Sequence, residues 1–81
     1  MNIGMLWFDD DARRGLPERI ARAAAYYAQK YGRTPTLCLM HPTTAGEALP
    51  ARLEGIELRT NRAVLREHLW IGIGETAAVE V

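Results

Sequence analysis

Residues 1 to 8, MNIGMLWF, are apolar at nearly every position, and the chain then turns abruptly acidic at Asp9, Asp10 and Asp11. An unbroken apolar run of this length suits a β-strand covered on both faces, ended by the acidic run. From Leu16 the period changes. Leu16, Ile20, Ala24, Tyr27 and Tyr31 recur at helical spacing, while Arg19, Arg22, Tyr26, Gln29 and Lys30 fall on other faces. Pro17 fits a first helical turn, where no amide donor is needed, and Gly32 can close the helix in a left-handed conformation, so the pattern predicts a helix over 16–31.

A second apolar stretch, TLCLM at 36–40, predicts another strand with both faces covered. Strand, helix and strand joined by short connections favour a right-handed crossover with parallel strands, neighbours or near neighbours in one sheet. In HPTTAGEALPARLEG, Thr44 and Glu47 have capping-box spacing, but Gly46 and Pro50 limit any helix to a turn or two. IELRTN, 56–61, alternates cleanly and predicts a half-exposed strand, placed at an edge. HLWIGIG, 68–74, sets Leu69, Ile71 and Ile73 on one face against His68, Trp70, Gly72 and Gly74 on the other. ETAAVEV then either adds a short strand or frays. The expected architecture is an α+β two-layer fold, one long helix packed on a mixed four-stranded sheet. Its order is strand, helix, strand, short helix, strand, strand, in a single compact domain over 1–81 without repeat, linker or low-complexity tract.

That architecture is short of cover. One helix of about 24 Å shields one face of a sheet, yet the first two strands are apolar on both. The second face needs residues 42–54, the tail or a second copy of the chain, and contiguous exposed apolar surface marks a partner site. Self-association as a homodimer is the expectation, with Trp70 and Trp7 as partner-binding residues. The alternative for Trp70 is packing beneath a loop of its own chain.

Composition limits the function classes. A chain of 81 residues builds a small core, and its ten Lys and Arg balance ten Asp and Glu, leaving no net field to draw in a polyanion or an anionic membrane. Nine of the ten basic residues are Arg. Cys38 has no partner for a disulfide or a cysteine metal cage and reads as a buried thiol. The first apolar run lacks a basic start and meets Asp9 after eight residues, so no secretion signal is expected, and no run of roughly twenty apolar residues spans a membrane. The expected location is cytoplasmic.

Candidate chemistry gathers at strand ends. Asp9, Asp10 and Asp11 follow the first strand and His41 the second, so a parallel arrangement brings both to the carboxyl edge of the sheet, where open α/β sheets place ligands. Clustered carboxylates with an imidazole could hold a divalent cation for phosphoryl or phosphodiester hydrolysis. The alternative is a solvated turn whose carboxylates complement the helix dipole. The segment MLWFDDDARRGLPERI is similar to the opening of response-regulator receiver domains, in which an acidic pair ends the first strand and a helix follows. The chain departs from that family where LCLM runs into His41 instead of a phosphorylated aspartate, and where its lone lysine, Lys30, falls inside the helix. No residue role is carried over.

His41 before Pro42 suits a turn residue as readily as a catalyst, no GxSxG nucleophile motif occurs, and GIGE lacks a phosphate-loop lysine. Arg59, Arg62 and Arg66 cluster near Trp70, a combination that can bind single-stranded nucleic acid by stacking. The competing reading pairs Arg59 with Glu57 or Glu54, and Arg66 with Glu67 or Glu75. The sequence therefore leads to a small interaction module, without an expected cofactor, that self-associates through an apolar sheet face. A metal-dependent hydrolase built on Asp9–Asp11 and His41 is the alternative, and nucleic-acid binding a further one.

Overall fold

A computed structural model describes residues 3–11, 13–46 and 50–74. The elements are β1 (Ile3–Phe8), α1 (Leu16–Tyr31), β2 (Leu37–Met40), α2 (Pro42–Ala45), β3 (Arg52–Leu53), β4 (Ile56–Thr60) and β5 (His68–Ile73). They form the α+β two-layer fold expected, with α1 on one face of a mixed sheet in the order β1-β5-β2-β4-β3. The helix spans the residues its periodicity predicts. Gly15 precedes it in an extended conformation, Pro17 lies in its first turn, and Gly32, at φ 71, donates its N–H to the Ala28 carbonyl and ends it.

The sheet has five strands where four were expected. The added one, β3, pairs with β4 across the two-residue turn Glu54-Gly55, whose φ angles of 50 and 84 belong to a type I′ hairpin. Such turns favour Asn or Asp before the Gly, and Glu54 hid the signal. β4 is accordingly not the edge: it runs parallel to β2 and is flanked by the two-residue β3. β5 is inserted between β1 and β2, antiparallel to both, which leaves the first two strands parallel but one strand apart. β1 is an edge strand, and of its two faces, both expected to be covered, only the Met5 and Trp7 side packs on the core.

The core lies between α1 and the sheet. Ile20, Ala23 and Tyr27 of the helix pack on Cys38 and Met40 of β2, Ile56 and Leu58 of β4, and Leu69 and Ile71 of β5. Met5 and Trp7 of β1 and Leu53 of β3 extend it at either side. Tyr31, assigned to the apolar stripe, is 40% exposed, with its ring centroid 4.6 Å from that of Tyr27. The short helix starts earlier than the capping box implies. His41 caps it through Nδ1, which accepts the Thr43 N–H at 3.0 Å, and Pro42 takes the first helical position. Thr44 sits inside the helix, and its Oγ1 accepts the Glu67 N–H at 3.0 Å. The tail ETAAVEV lies outside the described residues.

Candidate functional site

The acidic turn after β1 is held by arginines. The Asp9 side chain is buried at the end of the strand; its Oδ1 accepts the Asp11 N–H at 3.0 Å, and Arg14 Nη1 reaches its Oδ2 at 3.4 Å. Asp11 receives both Nε and Nη2 of Arg13, each at 3.1 Å, and Arg14 at 3.4 Å. These bonds hold the Asp11 carboxyl below the usual range, the Arg13 guanidinium first and its backbone N–H second. Arg19 donates to the Asp11 carbonyl at 2.9 Å and pairs with Glu67 at 3.7 Å. Asp10 is exposed. The carboxylates thus face cations of their own chain.

The carboxyl ends of β1 and β2 do reach the same edge of the sheet, but β5 separates them by two strand spacings, about 10 Å. The His41 Nδ1 lone pair is engaged in capping α2. Among the described residues, no three His, Cys, Asp or Glu side chains come together as a set that could hold a metal ion.

The sheet face opposite α1 has a different character. Strand register places its residues in rows. Phe8 and His68 form one row, with ring centroids 5.0 Å apart. Leu6, Trp70, Leu39 and Arg59 form the next. Gly4, Gly72, Leu37, Glu57 and Arg52 form the third. Leu6 and Phe8 are each 58% exposed, while Trp70 and Leu39 are half-buried. The described part of 42–54 does not seal this face: Ala45 and Leu53 join the helix-side core, and Arg52 stands at the far rim. Trp70 leans over Gly4, where an added Cβ would stand 2.3 Å from its Cζ2. The indole is therefore braced against its own sheet at Gly4, and Leu37 in the third row is buried, 7% exposed.

Trp7 does not share this face. It lies on the helix side against Tyr26, ring centroids 5.3 Å apart, and among the described residues its buried indole N–H has no partner. Arg59 is on the open face and ion-paired with Glu57, the neighbour the sequence offered. Arg62 and Arg66 are exposed in the 61–67 connection between β4 and β5. The sequence reading missed Leu6 and Phe8. No alternation marked them, because Met5 and Trp7 on the other parity of β1 are apolar as well.

Two further features are chemically quiet. A cleft of about 240 Å³ between α1 and the β3–β4 hairpin, lined by Ala24, Ala28, Pro35, Leu53 and Ile56 among others, is smaller than the ~300 Å³ at the low end of ligand pockets. Burial pushes the Cys38 thiol up to about 12, so it is neither nucleophile nor ligand near neutrality. No described helix is long and apolar enough to cross a membrane. Comparison with protein-family models, curated proteins and solved structures finds no match.

Proposed function

We propose that the chain is a protein-interaction module that self-associates through the helix-free face of its sheet. The observation that carries this reading is the 58% exposure of both Leu6 and Phe8, side by side with half-buried Trp70 and Leu39. Four large apolar side chains in adjacent rows make a contiguous strip of the kind that marks an interface. The strip lies toward β1, whereas Glu57, Arg59 and Arg52 occupy the β4–β3 side, giving an apolar centre with a polar flank. A stable dimer removes about 600 to 1,000 Å² from each partner. The lower figure is roughly a ninth of this chain's 5333 Å².

The acidic turn supports the hydrolase alternative less well, because Asp9 and Asp11 are already paired with arginines. Nucleic-acid stacking on Trp70 has Arg59 in the same row, but Glu57 pairs with that arginine and the chain has no net positive charge. The test is Leu6→Lys with Phe8→Lys. The variant should melt within a few degrees of the parent, since both side chains are solvent-facing, while light scattering shows a dimer lost. An unchanged scattering mass would remove the strip from the interface.

A further inference from the structure

We propose that β1 forms the seam of this self-association: the β1 strands of two copies pair antiparallel, edge to edge, with Leu6 opposite Leu6 of the second copy and Gly4 opposite its Phe8. The two sheets then continue as one of ten strands. The inference rests on the self-association reading and places its contact at the strand edge: Leu6 and Phe8 meet the second copy across the seam, while Trp70 and Leu39 stay on the helix-free face of the joined sheet.

The direction of the backbone groups follows from one hydrogen bond. Asp9 continues the β1–β5 register opposite Glu67 and donates its N–H to the Glu67 carbonyl at 3.1 Å. In an antiparallel ladder bonded and non-bonded pairs alternate. Trp7 and Met5 therefore bond inward to β5, whereas the N–H and C=O groups of Gly4, Leu6 and Phe8 point out of the edge. β1 pairs only with β5 among the described residues. An apolar edge of this length, without proline or charge, is an open template for another strand. The opposite edge is not: β3 has two residues and is closed by the Glu54-Gly55 turn.

The edge is complementary to itself. Outward groups at 4, 6 and 8 are symmetric about 6, so a two-fold axis at Leu6 pairs every one of them in six hydrogen bonds and makes the isologous contact of a C2 dimer. Side chains fit that register. Phe8 of each copy meets the bare Gly4 of the other, beside the Trp70 that leans over it, and Leu6 meets Leu6. Charge selects the direction: antiparallel pairing sends the two Asp9–Asp11 turns to opposite ends, whereas parallel pairing would stack like charges side by side. There is also room. α1 packs on β5, and β5 of one copy is three strand spacings, about 14 Å, from β5 of the other, beyond the 8–10 Å of helices in contact. A single strand pair belongs to the small end of stable interfaces, so the dimer forms with concentration.

The test is amide hydrogen exchange of the whole chain, read by NMR at low and high concentration. The Leu6 and Phe8 amides should slow at least tenfold as the dimer forms, while Met5 and Trp7, inside the ladder to β5, stay slow throughout. Leu6→Pro should stay folded, because the lost donor points outward, and should no longer dimerise. Should it not fold, Leu6→Cys decides. Cα atoms about 5.5 Å apart suit a disulfide, so oxidised glutathione, accepting the two electrons, should link L6C but not Q29C between chains. A dimer with fast Leu6 and Phe8 amides and no L6C link overturns the seam and leaves self-association through the face standing. Protection independent of concentration assigns the edge to a segment of the same chain and also overturns it. A monomer at every concentration removes both this geometry and the reading beneath it.

Discussion

Gly4→Ala perturbs the open face at its tightest point. The added Cβ would stand 2.3 Å from Trp70 Cζ2, 2.6 Å from its Cε2 and 2.8 Å from the Ile71 carbonyl oxygen. Carbon atoms do not approach so closely, so the indole must lift off the sheet. Overpacking by one methyl typically costs about 1 to 3 kcal/mol. Less conformational freedom in the unfolded chain returns only about 0.4 to 1 kcal/mol of that. A net loss of about 1.5 kcal/mol lowers the melting temperature of a domain this size by roughly 6 to 12 °C. The assay is thermal denaturation of a double-mutant cycle with Trp70→Ala. With the indole absent, only the Ile71 carbonyl resists the methyl, and the cost of Gly4→Ala should fall to less than half. In a Trp7→Phe background, Trp70 emission should shift to the red as the ring becomes more exposed. Equal costs in both Trp70 backgrounds would refute the bracing of Trp70 by Gly4.

Three other outcomes follow from groups away from that face. Burial raises the Cys38 pKa from 9.0 to about 12, so the unfolded chain loses this proton first as pH rises. Stability should be intact below pH 9 and fall by about 1.4 kcal/mol per pH unit above it. Denaturation of parent and Cys38→Ala at pH 8 and 10 checks this; the same alkaline slope in both would contradict it. Asp11 has its pKa lowered by Arg13, so its contribution is present above about pH 4 and fades as pH falls through the depressed value. An NMR titration should show the carboxyl midpoint returning upward in Arg13→Ala. Replacing His41 with Ala removes the cap of α2 and should cost about 1 kcal/mol, with Asn restoring most of it.

Elements with strong periodicity were legible in the sequence. Leu16–Tyr31 carries its helical stripe, a proline at its start and a glycine at its end, and each feature acts locally. β5 and β4 alternate, so their inward residues could be named in advance. Strand order was less accessible, because insertion of β5 between β1 and β2 is a matter of long-range pairing that leaves no local mark. β1 shows the same limit. Its apolar residues of both parities suggested two covered faces, but only Met5 and Trp7 pack on the core, and Leu6 and Phe8 project from the helix-free face. The shortage of cover was readable from counting helices against apolar strand faces; which residues would carry it was not. The acidic turn was visible as composition, while its arginine partners depended on how the 9–19 segment folds back on itself.

Sedimentation equilibrium of the 81-residue chain, from micromolar to millimolar concentration, decides whether it self-associates. The mass should climb from 9.1 kDa toward twice that value, and Leu6→Lys with Phe8→Lys should hold it at the lower figure. A mass that stays at 9.1 kDa over the whole range, in the parent chain as in the variant, would contradict self-association.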